Sequence, residues 1–315
     1  MSDPPVAGDR APGFRSGFVS LVGRPNTGKS TLTNALVGSK VAITSAQPQT
    51  TRHTVRGIVH RPDAQLVLVD TPGLHKPRTL LGERLNALVR TTWAEVDVVA
   101  VCLPADAAVG RGDRFLVDAL AASRRSSTVA VATKADLASR DQLAAHLEAV
   151  LRLGAQAGLD WAEIVPVSAT EGYQVDLLAD LLVGLLPEGP PLYADGELTD
   201  EPEATLVAEL VREAALDGVR DELPHSIAVV VAEMGLRAGR AADHPLLDVQ
   251  AELYVERASQ KAIVIGRRGS RLKEVGTQAR QQIEALLGTP VYLDLRVKVA
   301  KDWQRDPKQL NRLGF

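Results

Sequence analysis

Gly23-Arg24-Pro25-Asn26-Thr27-Gly28-Lys29-Ser30 follows the apolar run Phe18-Val19-Ser20-Leu21-Val22 and precedes a helical pattern over residues 30–37. The octapeptide has the form G-x-x-x-x-G-K-[ST] of a phosphate-binding loop. Its two glycines let the backbone curl, so that successive N–H groups converge on an anion. Lys29 can reach the outer phosphates and Ser30 can offer a hydroxyl to Mg²⁺. The helix behind the loop turns the positive end of its dipole toward the same anion. A plain glycine turn would explain the glycines, but not Lys29-Ser30 behind a buried strand. The chain is expected to bind a nucleoside triphosphate, and the loop alone does not say which.

Further along the chain, Leu66-Val67-Leu68-Val69 leads to Asp70, and residues 96–103 form another buried run. Thr128-Val129-Ala130-Val131-Ala132 leads to Thr133, and Ile164-Val165-Pro166-Val167 leads to Ser168. Helical spacing fills the gaps, as over 111–122 and 141–154. Strands alternating with helices predict an α/β fold with a mostly parallel sheet covered by helices. Such sheets bind ligands at the carboxyl ends of their strands. After a helix over 175–186, Pro187-Glu188-Gly189-Pro190-Pro191 signals a linker. A helix over 205–216 and two runs, 226–232 and 249–255, then suit antiparallel strands in an α+β unit. The expected organisation is a disordered tail over 1–16, a nucleotide-binding domain over 17–187, a linker over 188–204 and a second domain over 205–315.

Each polar motif falls at a strand end. Asp70-Thr71-Pro72-Gly73 offers a carboxylate that can hold Mg²⁺ through water and a Gly73 N–H that can meet a γ-phosphate. Thr133-Lys134-Ala135-Asp136 is selective. Guanine presents two donors on one edge, and the Asp136 carboxylate can accept both, whereas adenine would leave it unpaired. The Lys134 stem can cover the base. Ser168-Ala169-Thr170 follows the last strand and offers a backbone N–H that could meet guanine O6.

In this order the four elements resemble a small G domain. Gly23-Arg24-Pro25-Asn26, with Gln49-Thr50-Thr51-Arg52-His53 and Leu74-His75, resembles the Era family of bacterial GTPases. The resemblance implies GTP and GDP as ligands, Mg²⁺ as cofactor, and hydrolysis to GDP and phosphate. Carried over residue by residue, the nucleotide contacts are Gly23, Arg24, Pro25, Asn26, Thr27, Gly28, Lys29, Ser30, Asp70, Thr71, Pro72, Gly73, Leu74, Thr133, Lys134, Asp136, Ser168 and Ala169. The metal falls to Ser30, Asp70 and a switch threonine, for which Thr50 and Thr51 both remain open. Most of the family has Asn where this chain has Thr133; that Asn bonds the base edge and braces the phosphate loop. Thr offers one hydroxyl, so weakened guanine binding is expected. Ras-like enzymes orient the attacking water with a Gln after Asp-x-x-Gly, and Leu74 occupies that place. Slow intrinsic turnover follows, with Lys29, Thr50, Thr51 and Gly73 as transition-state and switch candidates and no assigned base. His53 and His75 are weaker candidates to position water. In related GTPases an Asn at the place of Asn26 helps hold a K⁺ beside the phosphates, where it could neutralise developing charge.

Composition separates the two ends. The chain carries a net −3, yet residues 256–315 hold 13 Lys or Arg against 6 Asp or Glu, which leaves the remainder acidic. A basic end suggests a polyanionic partner, with a solvated charged face as the bland alternative. The single Cys102 excludes a disulfide framework and a cysteine zinc cluster, so a cytoplasmic setting is expected. No apolar run approaches a membrane span.

Within the basic end lies Ile263-Val264-Ile265-Gly266-Arg267-Arg268-Gly269, and Leu272, Val275, Ala279, Ile283 and Leu286 recur behind it at helical spacing. A Gly-x-x-Gly turn at a helix N-terminus, with Arg267, Arg268, Arg271 and Lys273 around it, forms an anion site. It is similar to a KH domain, whose loop clamps about four nucleotides of single-stranded RNA. Ile263, Ile265 and Leu272 are expected either in the core or lining an apolar base-binding groove, with the core favoured for the two isoleucines. Pro290–Val299, Trp303 and Leu313-Gly314-Phe315 extend the resemblance, as a type-2 KH domain of the Era family, to residues 18–315. The resemblance implies binding to the 3′ end of small-subunit ribosomal RNA and assistance in maturing the small ribosomal subunit. It also implies peripheral association with the inner face of the cell membrane. The protein is expected to be a monomer. A competing reading is a membrane-associated regulatory GTPase with its main role in growth or cell-cycle control. A tRNA-modifying enzyme on a similar G domain is disfavoured, because Cys102 lies inside that domain.

Overall fold

The computed structural model describes residues 13–45, 50–73, 77, 79–123, 126–219, 226–241 and 243–315. Expectations for Gln49, Leu74, His75 and tail residues 1–12 lie outside the described residues. The chain divides into two compact units. The first comprises residues up to Val41, Thr54–Thr71 and Val89–Asp200; the second comprises Ala42–His53, Pro72–Leu88 and Glu201–Phe315.

The first unit is built on a six-stranded sheet. Its strands are β1 (Arg15–Val22), β2 (Val55–His60), β3 (Ala64–Asp70), β4 (Val98–Pro104), β5 (Ser127–Thr133) and β6 (Glu163–Pro166), in the order β2-β3-β1-β4-β5-β6. All pairings are parallel except β2 against β3. This antiparallel edge departs from the uniform alternation of the sequence, because β2 and β3 are joined by a tight turn with no helix between them. Both faces are covered. Val19, Leu21, Leu66, Leu68, Ala100, Val129 and Val131 pack with Leu32 and Leu36 of α1 (Lys29–Val37) and Leu178 and Leu182 of α5 (Val175–Leu185). The alternate residues Val22, Val67, Val69, Val99, Val101 and Ala130 are buried too. Each fully buried Leu or Val contributes about 1.5–3 kcal/mol, so these uniformly apolar strands hold the loops at their carboxyl ends rigidly. The helix α2 (Leu80–Glu95) belongs to the second unit up to Leu88 and to the first from Val89, and the first unit also holds α3 (Arg111–Ser123) and α4 (Arg140–Ala157). A capping box starts α4: Ser139 Oγ accepts from Gln142 N–H, and Gln142 Oε1 accepts from Ser139 N–H.

Two boundaries differ from the sequence reading. Phe14 is buried and Arg15 pairs with Ala64, so order begins before residue 17. The segment expected as a linker is anchored through residue 200. The fully buried Gln65 side chain accepts from Leu192 N–H at 2.6 Å and Tyr193 N–H at 2.9 Å, and donates to the Tyr193 carbonyl at 3.0 Å. Ile58 N–H donates to the Leu198 carbonyl. Prolines mark a missing helix here, while a main-chain bond to β2 and the Gln65 side chain of β3 fix the path.

The second unit has a three-stranded sheet, β7 (Ala228–Leu236), β8 (Leu247–Val255) and β9 (Val291–Val299). β7 and β8 are antiparallel, with a bulge between Val231 and Glu233, and β8 and β9 are parallel. Its helices are α6 (Glu203–Leu216), α7 (Ala258–Ile265), α8 (Ser270–Leu287) and α9 (Pro307–Arg312). Val249, Leu253 and Val255 meet Val207 and Val211 of α6, Val264 of α7, and Val275, Ala279 and Ile283 of α8 in one core. Ile265 packs against this core, whereas Ile263 is exposed, contrary to expectation. The apolar run 263–265 is the last turn of a helix, and a helix sends one of three successive residues to solvent.

Candidate functional site

In the first unit the phosphate loop joins β1 to α1. A Cβ at Gly23 would lie 2.8 Å from the Cys102 carbonyl oxygen, so only glycine fits against β4. Gly28 caps α1 at φ +91°, where a side chain would be strained. Lys29 is buried, and its Nζ donates to the Arg24 carbonyl at 2.9 Å and the Gly23 carbonyl at 3.4 Å. Burial pushes its pKa down, against the opposing pull of the Asp70 charge. Thr27 Oγ1 also donates to the Arg24 carbonyl, at 3.0 Å. Ser30 Oγ donates to Asp70 Oδ2 at 2.6 Å, and Asp70 is fully buried. Two hard oxygen donors this close fit Mg²⁺, which keeps its other positions for water and phosphate oxygens. Thr71 Oγ1 donates to the Leu21 carbonyl at 3.1 Å, tying the end of β3 to β1.

The structure gives the Thr133 hydroxyl a definite task. Oγ1 donates to the Thr27 carbonyl at 2.6 Å, with both residues buried. The phosphate loop is therefore braced from β5 by a residue 106 positions away. Beside it lies a cavity of about 300 Å³, lined by Gly28, Thr31, Leu32, Thr133, Lys134, Asp136, Leu137, Val167, Ala169 and Thr170. Its apolar walls suit a flat base, and Asp136 supplies the carboxylate the sequence assigned to guanine. Lys134 sits in left-handed backbone at φ +57°, and its Nζ pairs with Asp106 at 3.2 Å. Ala135 N–H donates to the Val167 carbonyl, joining the two base-side turns. Ser168 N–H is committed to the Tyr173 carbonyl, while Ser168 Oγ accepts from Glu171 N–H. Thr170 closes the Ser168-Ala169-Thr170 element, whereas Thr31, Leu32, Leu137 and Val167 had no motif to announce them. Only their adjacency to motif residues could have found them.

Thr50, Thr51, Pro72 and Gly73 belong to the second unit, whereas Ser30 and Asp70 belong to the first. Inside the second unit the Thr50 carbonyl accepts a short hydrogen bond from Arg212 Nη2. Arg212 also pairs with Glu209 at 2.6 Å. Burial raises the Glu209 pKa, but the Arg212 charge and hydrogen bonds outweigh it and hold the carboxyl below its usual range. Arg52 is buried, donates to the Ile227 carbonyl at 2.6 Å and lies over the Trp303 and Phe315 rings. Burial and the Arg212 charge bring its pKa down to about 9. His53 stacks on Phe315 with ring centroids 4.9 Å apart.

Gly266 to Gly269 forms a short 3-10 turn between α7 and α8. At Gly266 φ is +74°, and a Cβ would lie 2.9 Å from the Arg271 backbone nitrogen. Gly269, at φ +80°, faces open space at the N-terminus of α8. Arg267, Arg268 and Lys273 are exposed. Arg271 is otherwise occupied: its Nη2 donates to the Asp217 carbonyl and its Nη1 lies 4.0 Å from Glu274. A groove of about 370 Å³ runs from Gly269 along Leu272, Lys273, Gly276, Thr277 and Arg280 of α8, with Leu293 and Leu295 of β9 opposite. A cationic mouth on an apolar groove matches a sugar-phosphate chain with bases lying inward.

Comparison with known proteins agrees with this geometry. Residues 18–134 match the family described as 50S ribosome-binding GTPase, and residues 222–304 match the KH domain. GTPase Era of Nocardioides sp. is 72% identical over 304 residues, covering 96% of this chain and 97% of its own. GTPase Era of Streptomyces coelicolor is 70% identical over 301 residues, covering 96% and 95%. A solved structure of Era in complex with MgGDPNP and nucleotides 1506–1542 of 16S ribosomal RNA superimposes with a TM-score of 0.90 at 35% identity, covering 96% of this chain and 99% of that one. With a G domain, a KH domain and near-complete relatives at this identity, the chain belongs to the Era family of GTPases.

Proposed function

We propose that this protein is a GTP-hydrolysing switch. Its KH domain binds the 3′ end of small-subunit ribosomal RNA, and the protein assists maturation of that subunit. The observation that carries this is the presence, in one chain, of the Asp136 base cavity and the Gly266–Gly269 groove. The solved relative holds a GTP analogue with Mg²⁺ and the corresponding RNA fragment.

At the nucleotide site, the loop N–H groups and the N-terminus of α1 meet the phosphates. Lys29 neutralises charge on the outer phosphates. Asp136 accepts the two guanine donors, Lys134 covers the base, and Ala169 lines the same cavity. Ser30 and Asp70 would hold Mg²⁺, with Thr50 or Thr51 as the proposed switch ligand, and the metal would supply positive charge against the developing phosphate charge. Asn26, at φ +63° in the loop, is the proposed K⁺ neighbour. Leu74 offers no group to orient water, so turnover is slow and depends on help. At the RNA site, Gly266 and Gly269 admit the sugar-phosphate chain, while Arg267, Arg268, Arg271 and Lys273 supply positive charge. The proposed domains are 17–187, extended by strand residues 15–16 and the anchored segment 188–200, and 205–315.

The proposed setting is the cytoplasm, with peripheral contact at the inner membrane face. Among the described residues no helix is long and apolar enough to cross a membrane. The test is crosslinking to cellular RNA together with GTP turnover in K⁺ and in Na⁺. Recovery of no ribosomal RNA refutes the RNA reading, and equal rates in the two salts remove the K⁺ role.

A further inference from the structure

The second residue of the phosphate loop, Arg24, is a free position in the loop pattern, yet its side chain is held by a buried carboxylate. Its Nε donates to Asp113 Oδ1 at 2.6 Å. Asp113 stands in the first turn of α3 and is 1% exposed. Its other oxygen, Oδ2, accepts from Gly110 N–H at 2.8 Å, so the carboxylate is fixed from two sides. The arginine stem crosses the helix start so closely that a Cβ at Gly112 would lie 2.6 Å from Arg24 Cδ.

The backbone of the same residue faces the chemistry. The Arg24 carbonyl accepts from Lys29 Nζ at 2.9 Å and from Thr27 Oγ1 at 3.0 Å. One residue thus joins a buried carboxylate on α3 to the ammonium that serves the phosphates. Thr133 braces the Thr27 carbonyl, and Asp113 braces Arg24 from the other flank.

We propose that Arg24 and Asp113 are a positioning pair for phosphoryl transfer: the ion pair fixes the Arg24 carbonyl, and the carbonyl fixes the Lys29 ammonium. The proposal rests on the GTPase reading above and goes beyond it. Arg24, a nucleotide contact by resemblance, would serve through its backbone, since its side chain is committed to Asp113, and neither side chain need touch the nucleotide. Loosening the pair lets Lys29 wander, and a misplacement of about 1 Å at a reacting centre can cost about 100-fold in rate. The effect falls mainly on the step in which phosphate charge redistributes, because that step demands geometry and binding tolerates slack.

The test is a double-mutant cycle on the full chain, with Arg24→Ala, Asp113→Asn and both together. Asp113→Asn keeps an oxygen for Gly110 N–H and removes the charge that holds Arg24. Single-turnover GTP hydrolysis, GDP affinity and melting temperature are read for each. The expected result is a loss in rate of about 10- to 100-fold for each single variant, with GDP affinity within about three-fold. The double variant is expected to lose no more than the worse single, because both changes break one device. Arg24→Lys, which keeps a cation opposite Asp113, is expected to recover part of the rate. Independent, additive losses, or a lower melting temperature with an unchanged rate, would overturn the proposal. Wild-type turnover in the same assay tests the GTPase reading separately.

Discussion

Replacing Thr133 by Val removes one hydroxyl and keeps the shape of the side chain. In the structure that hydroxyl is a 2.6 Å donor to the buried Thr27 carbonyl. A buried acceptor stripped of its partner costs about 1–3 kcal/mol. The Thr27 carbonyl belongs to the loop that must be wound for phosphates to bind, so the cost falls on the binding-competent loop. It translates into GDP and GTP affinities weaker by about 5- to 150-fold. Isothermal titration with each nucleotide in Mg²⁺ buffer reads this directly. Thr133→Ser, which keeps the hydroxyl, is expected to stay within about five-fold of the parent. The reasoning fails if the Val variant binds GDP within about two-fold of the parent, or if Ser and Val weaken binding equally. Either result would mean the loop holds its shape without help from β5.

Three further outcomes follow from the two sites and their surroundings. Asp136→Asn is expected to weaken GTP binding by about 100-fold, from the loss of two charge-assisted bonds, and to shift preference toward xanthine nucleotides; unchanged selectivity in competition titration counts against the base assignment. Gly269→Asp places a carboxylate where φ is +80° and the space is open, opposite the incoming phosphates. It is expected to abolish binding of a ribosomal 3′-end oligonucleotide while GTP affinity holds, and loss of both would indicate misfolding. Burial pushes His53 below its usual 6.5, reinforced by Arg212 and Arg52 and opposed by Glu209; His146 is lowered by burial as well. A lowered folded pKa means the unfolded chain binds more protons. This stability is complete above 6.5 and is lost as pH falls through the folded values. Melting temperature is expected to drop from about pH 7.5 to about pH 5.5, and His53→Phe, which keeps the ring on Phe315, should flatten that slope.

Much of the fold was legible because its signals are local. A buried parallel strand must be apolar on both faces, so β3, β4 and β5 read as continuous runs. The glycines of the phosphate loop and of Gly266–Gly269 carry backbone constraints that few other residues satisfy. β2 was missed because Arg56 and Gly57 interrupt its apolar pattern, and it is an antiparallel edge strand where alternation was expected to continue. The exposure of Ile263 depends on which face α7 turns inward, and the residues facing it are remote in sequence. The bond of Thr133 to Thr27 spans 106 positions and that of Arg24 to Asp113 spans 89, so no spacing rule could reveal either. The residues around Thr50 and Thr51 read as nucleotide switches, yet Arg212, Ile227 and Phe315 fix their immediate surroundings.

The floor beneath the phosphate loop has a consequence for measurement. Gly23 rests on the backbone of Cys102, which is the chain's sole cysteine and is wholly enclosed in β4. Burial lifts its thiol to about 12, so almost no thiolate exists near neutral pH. An alkylating reagent can reach sulfur only while β4 is open. The rate of single-site labelling is therefore a clock for the opening of the strand that supports the triphosphate cradle. Nucleotide that binds only the closed form should slow that clock, by about 100-fold when present at 100 times its Kd. The chain carries its own native probe of how firmly its ligand holds it shut.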